Sequence, residues 1–259
     1  MGVAAAPLIT GFILAYFDWR MAFIVPGIIS IMIGVGYAEF VKRSQIEQTE
    51  AIAREKEMIG FAPGWKRALC ALTLITAAGG LIFGTMAFII PRMFEASLTE
   101  ITVDVAATGI LAALVFAVAS FSQLVTGRIV GRHQVRPILM TIALGQPVLI
   151  GLMALQTDYA LFFATLLALA FIFGQVPITD AVLSRYVPDE WRAKVLSFKF
   201  FFNLVIGALA LLCARHILGA GGGLGMVMVV TAVSAVMIVV GAMLLPTQAP
   251  VEPAYTKSP

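Results

Sequence analysis

The feature that most constrains the fold of this chain is a series of long stretches that contain no charged side chain. Such stretches occupy residues 21–38, 68–91, 105–127, 137–157, 159–179 and 224–245. A helix that crosses a membrane needs about 20 mostly apolar residues, and these stretches have that length. Residues 195–214 qualify with Lys199 as their one charge, and the shorter uncharged stretch 1–17 is interpreted as one more span. The chain is therefore predicted to cross a membrane about eight times.

The composition favours the same interpretation. The chain has 259 residues, of which 61% are hydrophobic and 12% are charged, whereas soluble domains are usually about 45–50% apolar. Backbone groups in lipid must bond to one another, so only helices and closed barrels span a membrane. The uncharged stretches lack the alternating polar positions of a barrel strand. We therefore expect an all-α, polytopic membrane helix bundle surrounded by the lipid bilayer.

One connection between the predicted spans is long and charged, and it covers residues 39–67. Its charges, which include Glu47, Glu50, Arg54 and Glu57, recur at helical spacing. This spacing is typical of an amphipathic or solvated helix. The connection is therefore predicted to link two helical bundles, and the domain boundary is placed there.

The distribution of Lys and Arg predicts the orientation of the chain. Only three of the 17 Lys and Arg residues, Arg20, Arg92 and Arg215, lie in one alternate set of connections. Loops rich in Lys and Arg stay on the cytoplasmic side of a membrane. The long connection and both termini are therefore predicted to be cytoplasmic, in a multi-pass protein of the inner or plasma membrane. No long basic run interleaved with aromatic residues occurs, so nucleic acid is not an expected partner.

A pattern of small residues and proline opens the chain. It resembles G-x-x-x-G-P-x-x-G-G, the antiporter motif on the fifth helix of exporters in the major facilitator superfamily (MFS). Its positions here are Gly2, Ala6, Pro7, Thr10 and Gly11, where Ala6 and Thr10 replace glycines. Small residues let two helix backbones approach closely, and the proline bends the helix at that point. Residues 18–23 are similar to the family's short turn into its sixth helix.

Two later stretches are similar to loops of the same family. Residues 127–136 resemble the second-half copy of the loop motif G-x-x-x-D-R-x-G-R-R. The residues singled out in it are Gly127, Arg128, Arg132 and Arg136, and Gly131 stands where the family has an acidic residue. Residues 186–194 are similar to the loop before the family's eleventh helix.

The resemblance implies an MFS-type bundle that contains family helices 5–12. It divides the chain into the last two helices of the N-terminal bundle (1–38), a cytoplasmic inter-bundle loop (39–67), a C-terminal six-helix bundle (68–246) and a cytoplasmic tail (247–259). It also implies that four helices of the same protein precede Met1. These missing N-terminal helices are the expected partner of the fragment.

Polar side chains inside the predicted spans are candidates for solute binding, because polar groups are costly in lipid. The resemblance implies a central cavity lined by the corresponding helices. The cavity candidates are Ser120, Gln123, Gln175, Thr179 and Asn203. For any single residue a hydrogen bond between helices is the favoured alternative, whereas for the set as a whole the cavity is favoured.

Asp180 is interpreted as the end of the sixth predicted span, near the cytoplasmic face. Arg128, Arg132 or Arg185 is expected to pair with it. A salt bridge that forms in one state and breaks in another would bias the equilibrium between two conformations. A structural ion pair is the alternative.

The sequence contains no nucleophile with a base at working spacing, and both G-x-S-x-G and H-E-x-x-H are absent. His133 and His216 lack partners at ligand spacing. We therefore expect neither an enzyme nor a metal or cofactor site. Cys70 and Cys213 are expected to be buried and not bonded to each other.

The resemblance implies a secondary active transporter that moves a small solute by alternating access. The antiporter-like motif favours a proton-coupled exporter, with protons as the candidate coupling ion. An MFS uptake carrier is the first alternative. A non-transporting membrane partner subunit is the second, if Met1 is the true start.

Overall fold

The computed structural model describes residues 13, 17–18, 20–52, 61–98, 105–131 and 134–246. This part of the chain contains seven long α-helices, and no strand is assigned within it. The helices are α1 (Met21–Ile52), α2 (Trp65–Ser97), α3 (Val105–Val130), α4 (Val135–Met153), α5 (Asp158–Tyr186), α6 (Asp189–Gly219) and α7 (Leu224–Leu244). Each is long and apolar enough to cross a membrane. The predicted all-α class of membrane helix bundle is thereby confirmed.

The helices follow the uncharged stretches but differ from them in length. Most extend past the uncharged part, because a helix can carry charged residues in its end turns outside the lipid core. The predicted span 137–157 is the exception, since α4 ends at Met153 and a turn follows it. The predicted span 1–17 lies almost entirely outside the described residues.

The position at which α5 ends corrects one prediction about Asp180. The helix α5 runs on to Tyr186, so Asp180 does not end it but lies within it, roughly 9 Å from its last residue at 1.5 Å per residue. The prediction took the first charge after an apolar stretch as a helix end. Charge alone does not end a helix, and the stop comes at Val187-Pro188, where the backbone becomes extended.

Two glycines shape the connections at the ends of the bundle. Gly64 precedes α2 with a φ of 79°, and Gly221 follows α6 with a φ of 86°. Both values lie in the left-handed region, which a residue without a Cβ adopts at little cost. These positions allow the chain to turn sharply into α2 and out of α6.

Helices α2 and α5 form the centre of the six-helix bundle α2–α7. Helix α2 packs against α5, α6 and α7 and more lightly against α3, while α5 also packs against α3 and α4, and α4 packs against α7. Helix α6 has its extensive contact with α2 alone. None of the residues between Phe23 and Phe40 of α1 is buried.

The contact between α2 and α6 is a glycine-rich seam, which we name the α2–α6 seam and define by Gly80, Gly84, Asn203 and Gly207. A Cβ on Gly80 would lie 2.6 Å from the carbonyl oxygen of Asn203, and one on Gly84 would lie 2.6 Å from that of Gly207. Backbone meets backbone at both points, which only residues without a side chain permit. The two contacts are four residues apart on both helices, so the parallel helices stay in step turn by turn.

The charges of the six-helix bundle separate between its two ends. The N-termini of α2, α4 and α6 and the C-termini of α3, α5 and α7 form one end, which we call the basic end. Its described Lys and Arg residues are Lys66, Arg67, Arg128, Arg136, Arg185, Arg192 and Lys194. The opposite end holds Arg92 and Arg215. Which end faces the cytoplasm stays a prediction.

Arginines of the basic end bind the last carbonyl groups of α7. Arg67 Nε donates to the oxygen of Leu244 at 2.7 Å, and Arg136 Nη2 reaches that of Met243 at 3.5 Å. The last carbonyls of a helix have no partner within it and carry partial negative charge, so guanidinium groups stabilise them. Arg136, which the loop resemblance had singled out, thus joins α4 to α7.

Cys70 and Cys213 are both free thiols. The expectation that they are buried was wrong, because both lie on exposed helix faces. An apolar neighbourhood in sequence does not place a side chain inside a membrane protein, since lipid accepts the same apolar residues as the core.

Candidate functional site

An ion pair between α5 and α6 is the clearest polar feature inside the bundle. Lys199 Nζ lies 2.5 Å from Asp180 Oδ1 and donates to Thr179 Oγ1 at 2.8 Å. The Thr179 hydroxyl in turn donates to the carbonyl oxygen of Val176 at 2.9 Å. The side chain of Lys199 is 13% exposed and that of Asp180 is 41% exposed. The lysine is therefore held inside the helix packing, while the aspartate reaches its edge.

This ion pair changes the partner predicted for Asp180. In the described part of the chain the cation that meets Asp180 is Lys199, and no ion pair joins Asp180 to Arg128 or Arg185. Arg132 lies outside the described residues. The sequence signal for Lys199 was available, because it is the one charge in an otherwise uncharged span. The pairing with Asp180 could not be derived from residue order, because residues 180 and 199 lie on different helices.

A small cavity adjoins the ion pair where α2, α5 and α6 meet. Its volume is about 40 Å³, and Thr73, Thr76 and Lys199 supply its polar lining. The Thr76 hydroxyl oxygen is buried and has no hydrogen-bond partner. A cavity of this size holds a water molecule when polar groups line it. The geometry thus suits a water that bonds to Thr76 beside the ammonium group.

Gln175 has its polar partner within the bundle. Gln146 Nε2 on α4 donates to Gln175 Oε1 on α5 at 2.7 Å, and both residues are buried. A Cβ on Gly79 of α2 would lie 3.3 Å from Gln175 Nε2, so the amide meets a helix backbone on its other side. Sequence reasoning missed Gln146, although it is an amide inside an uncharged stretch.

The other cavity candidates lie at separate places on the helices. Ser120 is buried on α3 and donates to the carbonyl oxygen of Phe116 at 2.7 Å, while Gln123 is half-buried on the same helix. Asn203 is half-buried in the α2–α6 seam. The structure brings Thr179 together with Asp180 and Lys199, and no described hydrogen bond joins Ser120 or Gln123 to that group.

The structure describes only some of the residues of the two sequence motifs. Gly127 and Arg128 are exposed in the last turns of α3, at the basic end. Arg132 lies outside the described residues, as do the antiporter-motif positions Gly2, Ala6, Pro7, Thr10 and Gly11.

Taken together, these features define a polytopic α-helical membrane protein whose bundle contains an ion pair, buried amides and a small polar cavity. The sequence profile described as Major Facilitator Superfamily matches residues 76–259, which is most of the chain. The chain therefore belongs to the major facilitator superfamily, a family of membrane transporters. A comparison with curated proteins gave no match.

Proposed function

We propose that this chain serves secondary active transport of a small solute by alternating access, with protons as the coupling ion and export as the direction. The observation that carries the proposal is the ion pair between Lys199 and Asp180. Ionisable side chains within membrane-spanning segments are costly and are typical of ion and substrate pathways. The antiporter-like pattern around Pro7 favours export.

The ion pair provides the coupling step. Asp180 is the more exposed partner, so a proton from an aqueous path reaches it first. A neutral Asp180 no longer balances the ammonium group of Lys199, which keeps Thr179 as its remaining described partner. The attraction between α5 and α6 then falls, and the two helices are free to separate. A proton would in this way shift the equilibrium between two bundle conformations.

Solute contact is assigned to the polar groups nearest the ion pair. Thr179 binds the lysine directly, and Asn203 lies one turn further along α6. Asn203 lies on α6, and Thr179 contacts that helix through Lys199. Among the described helices of the bundle α2–α7, α6 is the one whose apolar segment is less than a tenth buried. Gln123 and Ser120 are kept as further candidates on α3, and Gln175 as one on α5.

The test is proton and solute flux in proteoliposomes that contain the full chain and enclose a pH-sensitive dye. A panel of radiolabelled organic cations, organic anions and sugars is supplied under an imposed pH gradient. We expect the Asp180→Asn variant to lose the dependence of solute flux on the gradient. The matched control is Glu95→Gln, which removes an exposed acid from α2.

The outcomes separate the alternatives. Gradient-driven flux in Asp180→Asn equal to that of the wild type would contradict coupling through this pair. Flux in the same direction as the protons would identify an uptake carrier. No flux of any panel member with the wild-type chain would instead favour a non-transporting partner subunit.

The orientation of the chain is proposed from the same charge asymmetry that the sequence shows. We place the basic end and both termini in the cytoplasm of a cell with the protein in its inner or plasma membrane. A Ser258→Cys variant without Cys70 and Cys213 tests this with a membrane-impermeant maleimide. Labelling in inverted vesicles and not in right-side-out vesicles is the expected result, and the reverse pattern would place the tail outside.

A further inference from the structure

The two arginines of the opposite end lie on neighbouring helices at the same level. The α2–α6 seam pairs Gly80 with Asn203 and Gly84 with Gly207. One turn further along, the same register pairs Phe88 with Leu211, and the next turn pairs Arg92 with Arg215. The parallel packing of two helices therefore brings two positive charges to one place.

The helices leave an open recess at this level, because large side chains replace glycine there. Phe88, Arg92, Leu211, Leu212, Arg215 and Leu218 line this recess, which has a volume of about 430 Å³. A second recess of about 450 Å³ adjoins it and shares Leu212 and Arg215, and His216 lies in its wall. We call the two together the arginine recess.

The walls of the arginine recess, as far as the structure describes them, carry positive charge. No carboxylate side chain lines either part of it among the described residues. Within the described part of the chain no ion pair is formed by Arg92 or Arg215, and the guanidinium of Arg92 lies 4.2 Å from the ring centre of Phe88. Two like charges at one level near lipid repel each other, and an anion between them removes that cost.

The residues that line the recess also indicate which class of anion fits it. Guanidinium groups bind phosphate oxygens through paired, charge-assisted hydrogen bonds. The remaining walls of the first recess are a phenyl ring and three leucines, and they suit hydrocarbon rather than a hydrated ion. The phosphate of an anionic lipid head group meets both requirements, because it binds guanidinium groups and its acyl chains contact the apolar walls. A free phosphate would use the arginines and leave the apolar walls in water.

We propose that the arginine recess is a binding site for an anionic phospholipid, with the phosphate between Arg92 and Arg215 and an acyl chain along Phe88 and the leucines. The lipid fastens the end of α6 to α2 beyond the last glycine of the seam. This role is independent of the solute and of proton coupling.

The test is native mass spectrometry of the full chain in detergent, with dioleoyl-phosphatidylglycerol and dioleoyl-phosphatidylcholine added in equal amounts. We expect the wild-type chain to retain the phosphatidylglycerol in preference. The double variant Arg92→Gln/Arg215→Gln should bind it roughly thirtyfold more weakly, which corresponds to about 2 kcal/mol. Phosphatidylcholine retention should not change.

The matched control is Arg185→Gln, which removes an exposed arginine from the basic end and should retain the lipid. If the double glutamine variant fails to fold, Arg92→Lys/Arg215→Lys keeps both charges, and it should lose part of the affinity because it lacks the paired hydrogen bonds. Equal retention of phosphatidylglycerol by the double variant and the wild type would overturn the proposal. Displacement of the lipid by millimolar inorganic phosphate would also overturn it, in favour of a free-anion site.

Discussion

Helices α2 and α6 are parallel neighbours of similar length and nearly equal mean hydropathy, yet they differ sharply in burial. Helix α2 has 33 residues and α6 has 31. Half of the apolar segment of α2 is buried, against 6% of that of α6. The difference shows that hydropathy places a helix in the membrane and leaves open whether its neighbours are helices or lipid.

The number of packing partners explains the difference. Helix α2 packs against α5, α6 and α7, whereas α6 depends mainly on α2. The described contacts of α6 include the α2–α6 seam in the middle of the helix and the ion pair to Asp180 nearer the basic end. Among the described residues, α6 also carries Lys199, whose side chain lies inside the helix packing.

The largest loss of stability is expected when a methyl group is added inside the α2–α6 seam. The Cβ of a Gly84→Ala variant would lie 2.6 Å from the carbonyl oxygen and 2.8 Å from the Cα of Gly207, so two backbones must separate. We expect the free energy of unfolding in detergent to fall by about 1–3 kcal/mol. Hydrogen exchange should rise along α6 before it rises in α4 or α5.

The control for that variant is Gly109→Ala on α3, where an added Cβ meets nothing within 4 Å. This variant should be neutral or slightly more stable, because alanine favours a helix over glycine. A Gly84→Ala variant as stable as the control would mean that the seam does not hold α6.

The second effect concerns the ion pair, and a double-mutant cycle isolates it. Lys199→Met leaves Asp180 without its cation, and we expect a loss of about 1–2 kcal/mol, since the aspartate is partly exposed. Asp180→Asn should cost a similar amount. The double variant should lose less than the two single losses added together, because neither charge is then left alone. Strict additivity in chemical unfolding would show that the two side chains do not interact.

The third prediction concerns the buried hydrogen bond between α4 and α5. Gln146→Leu removes the donor to Gln175 Oε1 and leaves a buried amide without its bond, which should cost about 1 kcal/mol. Because this bond joins α4 to α5, and α6 packs mainly against α2, exchange should rise in α4 and α5 and stay unchanged in α6. The Gln146→Leu/Gln175→Leu variant is the control and should recover most of the loss. Faster exchange in α6 would mean that the two regions are coupled.

The smallest effect is expected at the end of α7. Arg67→Gln weakens the contact to the carbonyl of Leu244 at the exposed edge of the bundle, which should cost about 0.3–1 kcal/mol. Faster exchange should be confined to the last turn of α7. Lys66→Gln, which changes the neighbouring charge, should leave that turn as it is. Equal effects of the two variants would assign the stabilisation to net charge rather than to this hydrogen bond.

The membrane spans were predictable from the sequence because their cause is local. A run of about 20 uncharged residues is sufficient for a spanning helix, since each backbone group bonds within its own segment. Helix ends were less predictable, as Asp180 shows, because a charged residue continues a helix wherever the end turns reach water. The family was suggested by motif order, and the profile over residues 76–259 shows it directly.

The site was only partly predictable. Thr179, Asp180 and Gln175 were found because polar residues in apolar stretches are conspicuous. Their partners Lys199 and Gln146 were missed as partners, because each lies on another helix and nothing in residue order gives the pairing. Gly80, Gly84 and Gly207 resemble any glycines of a membrane helix until two backbones are seen to meet.

The sequence by itself determined that the chain crosses a membrane as helices and that its positive charges gather at one end. Both follow from the cost of leaving charges and unbonded backbone groups in lipid, which each segment must avoid alone. Only the tertiary structure decided which apolar faces meet helices, that Lys199 binds Asp180, and that Arg92 stands opposite Arg215. Those facts depend on the register between helices, which glycine contacts set and hydropathy does not encode.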